Sequence, residues 1–356
     1  MIGLKVSNKI KPDFNFMATG IGSVPSQDMD GVCRHILEKL PDIPFWPQFV
    51  KRSHLEDMNI QFSEGLPLLK IEEERRALVV SSDEIEPALV EFYDHFMSDD
   101  TDYFATSREY APGLYEQTDL ISRNPGLYGP YIKGHTVGPV TFAAGITGLD
   151  GKPVLSNPEL LEAFTKGLAI KALWQALELG KTGKKPIIFL DEPYLSGFGS
   201  AFSPIERREV VSLLKEVIDY LRERSDTIIG IHCCGNTDWS MILESGPDIV
   251  NFDAFAFMDY FFLYPKEISR FFGEGGSIAW GIVPTADFTG EESVEGLRAK
   301  LEKGLSRLNE YGFEPELIKA GSMLTPACGM GTMEQSMSDM VLDLLSKLSR
   351  KMGITG

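Results

Sequence analysis

PIIFLDEP (186–193) and TIIGIHCCGNTD (227–238) decide how this chain folds. Each opens as a near-continuous apolar run and ends abruptly in side chains that can do chemistry. A strand covered on only one face alternates apolar with polar residues, whereas a strand covered on both faces is apolar throughout, as in parallel sheets flanked by helices. DIVNFD (248–253) and SIAWGIV (277–283) have the same character. Working outward from these, eight such runs can be read: Phe16–Ile21, Pro44–Pro47, Tyr131–His135, Ile187–Asp191, Ile228–His232, Ile249–Phe252, Ile278–Ile282 and Ala320–Leu324. Between them apolar residues recur at helical spacing, in Asn157–Leu179, Pro204–Arg222, Val294–Tyr311 and Glu334–Lys351. Strand alternating with helix predicts parallel βαβ units. Eight units in one domain predict a single TIM-type (β/α)8 barrel over residues 1–356, with a doubly wound sheet as the alternative. The stretch 50–124 is longer than one unit needs, and is expected to be an insertion over the barrel mouth, acidic and partly helical.

Composition narrows the function. The chain has 52 Asp and Glu against 34 Lys and Arg, a net charge of −18 spread along its length, which argues against nucleic acid as a partner because phosphate binding needs clustered cations. No run of about 18 apolar residues is present, so no membrane span is expected. The first residues, MIGLKVSNKIKPDF, lack the apolar core of a signal peptide, so a cytoplasmic location is expected. Four cysteines, Cys33, Cys233, Cys234 and Cys328, make no disulfide framework. In a reducing compartment they read as buried, catalytic or metal-bound.

The chemically capable residues fall at the C-terminal ends of the expected strands, which in a (β/α)8 barrel converge on one face. Ser23 follows the first, His135 ends the third, Asp191 and Glu192 the fourth, His232 and Cys234 the fifth and Asp253 the sixth, while Cys328 lies beyond the eighth. Along extended backbone His232 and Cys234 point the same way and Cys233 the opposite way. With Cys328 brought in from a neighbouring position around the barrel, where the eighth strand closes against the first, one imidazole and two thiolates form a ligand set suited to Zn2+, three ligands leaving a position for substrate. The alternative is a buried strand cysteine beside a capping histidine. Cys233 and Cys33 read as core. Asp191 reads as a carboxylate that binds a substrate amino group or places a proton, with helix capping as the alternative for it and for Glu192. Gly20, Gly22 and Ser23 form a tight turn whose N–H groups suit a carboxylate or phosphate. The aromatic stretch FAFMDYFFLY (255–264) reads as helix packing, cleft lining or a subunit contact.

These segments resemble a known superfamily. TGIGSVP (19–25), KGHTVGPVTF (133–142) and FLDEP (189–193) look like parts of the catalytic half of cobalamin-independent methionine synthase. HCCGNTD (232–238) and PACGMGT (326–332) are similar to the zinc motifs of the methylcobamide–thiol methyltransferases, which belong to the uroporphyrinogen decarboxylase-like barrels. The resemblance implies a (β/α)8 barrel in which zinc activates a thiol for methylation. It implies His232, Cys234 and Cys328 as zinc ligands, and Asp253 in place of a further ligating glutamate. Asp191 would meet the substrate amino group and Ser23 with Gly22 its carboxylate, with His135 and Glu192 beside them. Homocysteine carries both groups. Only the catalytic half of the long methionine synthases is matched, so the resemblance leaves methyltetrahydrofolate and a methyl-corrinoid, free or carried on a corrinoid protein, as donors. The rivals are a metal-independent decarboxylase, which would need cations such as Lys133, Lys319 or the Lys51–Arg52 pair, and a corrinoid- or zinc-binding accessory protein without turnover.

Overall fold

In the computed structural model, residues 13–81, 85–199 and 205–354 are described. The strands in chain order are β1 (Leu69–Glu72), β2 (Ala77–Val80), β3 (Tyr131–Val137), β4 (Ile146–Thr147), β5 (Lys185–Asp191), β6 (Ile228–Cys233), β7 (Ile249–Phe252), β8 (Ser277–Val283) and β9 (Ser322–Pro326). β3, β5, β6, β7, β8 and β9 hydrogen-bond in that order into one curled, wholly parallel sheet. Helices between the strands cover it, as the apolar runs require.

The regular ladder covers six of the eight expected positions, so the barrel is not fully closed. The first two expected strands, 16–21 and 44–47, lie in the remaining gap but pair only through isolated bridges: Ala18 with Leu324 of β9, Ser23 with Gln48, and Phe45 with Lys133 of β3. The cause is local. Phe16 has φ 61°, a left-handed conformation that breaks an extended run. Pro44 and Pro47 have no N–H to give to a ladder, leaving Trp46 N–H to Lys133 O at 3.3 Å and Lys133 N–H to Pro44 O at 2.8 Å. Gln175 reinforces this seam from the helix Pro158–Gly180: its Oε1 accepts from Trp46 Nε1 at 2.9 Å and His135 N at 3.0 Å, and its Nε2 donates to His135 O at 2.8 Å.

The predicted helices form close to their expected limits. Pro158–Gly180 has Asn157 as its N-cap, accepting from Leu160 N, and proline in its first turn. Arg207–Arg224 starts at a capping box between Glu206 and Glu209, and Pro204, the expected start, lies outside the described residues. Val294–Glu310 is capped by Ser293, and Gln335–Ile354 closes the chain. The last strand begins at Ser322 rather than Ala320, because Ala320 ends the short helix Pro315–Ala320. Among the described residues no helix is long and apolar enough to cross a membrane.

Residues 50–124 add a hairpin, β1 with β2, extended in parallel by β4, and the helices Ile85–Met97 and Pro112–Arg123. The stretch divides its contacts. Phe62 sets its ring edge-on to His135 at 6.2 Å, at the strand ends. Phe96 instead stacks on Tyr220 of an outer helix, and Lys171 of another donates to Phe104 O at 3.0 Å.

Period two sorts the sheet into two sides. Ile187 and Phe189 join Ile228, Ile249, Ala279 and Met323 in a small cluster on the concave side. Ile188, Leu190, Ile229, Ile231, Val250, Trp280 and Leu324 join the large cluster beneath the helices. Lys133, His135, Asp191, His232 and Asn251 share the parity of the concave set, so the strands deliver their polar side chains to the inside of the curl.

Candidate metal centre

One ligand atom each from His232, Cys234 and Cys328 lies within 4.8 Å of the others. His232 lies at the end of β6 and Cys234 just beyond it. The third comes from the turn after β9, where Ala327 N donates to Val283 O at 2.8 Å and Met330 N to Ser23 O at 2.9 Å. The Ser23 turn therefore holds the Cys328 loop in place: Gly331 N reaches Ser23 Oγ at 3.3 Å, and a Cβ on Gly329 would lie 2.2 Å from that oxygen. The two turns meet only because neither residue 329 nor 331 carries a side chain.

The electrostatics suit a cation. The Cys234 thiol is held well below the usual range by a hydrogen bond from the Cys328 thiol and by His232, both acting against burial. Cys328 is pushed up by the same neighbour. His232 is 2% exposed, its Nδ1 lies 2.5 Å from Asn251 Oδ1, and its Nε2 has no hydrogen-bond partner. Two cysteine sulfurs and an imidazole nitrogen form a donor set that fits Zn2+. Cys233 faces away into the outer core, as the alternation requires; burial pushes its thiol up to about 12.

Asp253 stands apart from this set. Its carboxylate caps the helix Ala254–Phe261, Oδ1 accepting from Ala256 N at 2.8 Å, and it is absent from the three-residue cluster.

Asp191 is the neighbour of His232 in the β5–β6 ladder. It is 5% exposed and its Oδ1 has no partner. Burial raises its pKa, while Lys133 and His232 pull it down. Lys133, wholly buried, donates to Ile21 O, and its ammonium lies 4.7 Å from the Phe189 ring centroid. Burial lowers its pKa and the Asp191 charge opposes that. His135 stacks on Trp46 at 4.0 Å and against Gly22, where a Cβ would lie 2.7 Å from its Cε1. Burial and the Lys133 charge hold the pKa of His135 well below the usual imidazole range, and both its ring nitrogens are buried without partners. Gly22 thus lies against His135, Ser23 against the Cys328 loop and Asp191 beside His232, with both His135 ring nitrogens and Asp191 Oδ1 buried without protein partners.

Glu192 is differently placed. It is fully buried and caps the helix Pro139–Ala144: Oε1 accepts from Val140 N at 3.0 Å, and Oε2 from Thr141 N at 2.8 Å and Thr141 Oγ1 at 2.6 Å. Both oxygens are committed to the protein, and the helix they cap precedes Glu192 by some fifty residues, whereas the capping alternative read from the sequence concerned the helix that follows it. Asn251, Thr325, Trp46 and Gln175 were not singled out from the sequence, because each carries an ordinary side chain within an apolar strand, segment or helix.

No family model matches the chain, and no curated protein sequence matches it. Among solved structures, a B12-independent methionine synthase from Shewanella sp. W3-18-1, in complex with selenomethionine, is similar with a TM-score of 0.58 and 16% identity, over 94% of this chain and 97% of that one. At that identity the likeness is one of fold: the chain is an α/β protein with a methionine synthase-like architecture.

Proposed function

We propose that this protein is a zinc-dependent S-methyltransferase that methylates a small thiol, homocysteine, from a methyl-corrinoid or methyltetrahydrofolate donor. The observation that carries the reading is the convergence of His232, Cys234 and Cys328 within 4.8 Å on a methionine synthase-like fold. When bound, zinc would hold a substrate thiol deprotonated near neutral pH, where a free thiol with a pKa of about 8.5 is mostly protonated. The residues around it do the positioning. Asp191 Oδ1 accepts from the substrate ammonium, which supplies the partner this buried oxygen lacks. The Gly22–Ser23 turn receives the carboxylate, and His135, stacked on Trp46, backs that turn at Gly22. Such fixed placement of a nucleophile is worth about 7–11 kcal/mol in ideal cases.

The decarboxylase reading is disfavoured by where the cations are. Lys133 is tied to Ile21 O, Lys51 to Met333 O at 2.8 Å, Lys319 to Gly353 O at 3.3 Å and Arg52 to Glu56 at 2.6 Å, so each already has a partner within the protein. The test is metal analysis of the purified protein with a methyl-transfer assay offering methylcobalamin and methyltetrahydrofolate in parallel. One zinc per chain is expected, and Cys234→Ser and Cys328→Ser are each expected to lose both zinc and transfer to homocysteine. Undiminished zinc and transfer in both variants would end the proposal. Zinc without transfer to any thiol would favour the accessory-protein reading.

A further inference from the structure

A metal at this centre needs His232 in one of its two tautomers, and Asn251 is placed to choose it. Asn251 lies directly across the β6–β7 ladder from His232, and Ala279 directly across β7–β8 from Asn251. All three polar groups are buried, and so is Thr325 of β9. The orientation of the amide follows from its partners. The Ala279 carbonyl can only accept, and it lies 2.8 Å from Asn251 Nδ2. The other hydrogen of that nitrogen points to Thr325 Oγ1, also at 2.8 Å. Oδ1 is thereby turned to His232 Nδ1 at 2.5 Å. An amide oxygen has no hydrogen to give, so the hydrogen of this contact must sit on Nδ1. In a neutral imidazole that leaves Nε2 as a bare lone pair, and Nε2 is the buried, unpartnered nitrogen of the site. The opposite tautomer would set two lone pairs against each other across the Asn251 contact and aim a hydrogen at the space between the sulfurs.

We propose that Asn251 is a positioning residue that fixes His232 as its Nδ1–H tautomer and keeps Nε2 open to the metal, with Ala279 O and Thr325 fixing Asn251 in turn. This rests on the metal reading above. Groups in this position also limit ring rotation, and their loss typically costs about 10–100-fold in metal affinity.

The test uses the full-length protein with 15N-labelled histidine, His232 being assigned by its absence from His232→Gln. In protein loaded with 113Cd, the hydrogen is expected on Nδ1 and the coupling to the metal at Nε2. Zinc affinity, read by competition with a chromogenic chelator, should fall about 10–100-fold in Asn251→Leu, which removes the acceptor. Asn251→Asp keeps an acceptor for Nδ1–H but sets its second oxygen against the Ala279 carbonyl, so it should recover part of that loss. Metal coupling at Nδ1, unchanged affinity in Asn251→Leu, or equal losses in the Leu and Asp variants would overturn the proposal, the last because it describes packing alone. If the wild type takes up no metal, the function proposed above fails, and the inference is still decided by which nitrogen carries the hydrogen in metal-free protein at pH 9, Nε2–H overturning it.

Discussion

Replacing Glu192 by Gln should flatten part of the protein's pH dependence of stability. Burial of this carboxyl pushes its pKa from the ordinary 4.5 up to about 7, against the lowering effect of its bonds from Thr141 and Val140. A carboxyl whose folded pKa lies above its unfolded value contributes stability that is present in full below pH 4.5 and is lost as pH rises through 7. Integrated between pH 5.5 and 8, a shift of that size removes about 2 kcal/mol from the wild type. Glutamine has no charge to desolvate, so Glu192→Gln should gain about 2 kcal/mol on the wild type over that interval, whatever their offset at pH 5.5. For a chain of 356 residues this corresponds to roughly 2–3 °C in Tm. Calorimetry of both proteins across the range measures it, and the difference between them cancels every other titrating group. Parallel Tm curves would refute the reasoning, showing that the three hydrogen bonds at Glu192 fully offset its burial.

Two further outcomes follow from buried contacts. Gly22→Ala should cost about 1–3 kcal/mol and weaken thiol-substrate binding with zinc content unchanged, because its Cβ would lie 2.7 Å from a His135 ring already stacked on Trp46. Chemical denaturation and substrate titration check it, and unaltered values in both would mean the ring yields. Lys171, pulled down from 10.5 to about 7 by burial, contributes stability that is lost as pH falls toward and through 7. Lys171→Met should therefore gain on the wild type by on the order of 2–3 kcal/mol between pH 9 and 6, read as a difference in unfolding free energy, with a constant difference counting against it.

Residue identity and period alone carried much of this molecule. The long apolar runs of β5, β6, β7 and β8 could only be strands covered on both faces, and their polar ends placed His232, Cys234 and Asp191 on one rim, with Cys233 turned away. Tertiary structure decided what depends on partners distant in sequence. Pairing showed that 16–21 and 44–47 bridge rather than build strands, since Phe16 turns left-handed in the first and Pro44 and Pro47 have no N–H to offer a ladder in the second. It brought the Cys328 loop to His232 through Ser23 and two glycines. It gave Glu192 to the helix at Pro139 and Asp253 to its own helix, because a carboxylate binds whichever donors the fold sets nearest and sequence does not record those distances. Asn251 is the sharpest instance: its amide acquires a direction only from Ala279 and Thr325, contributed by two other strands.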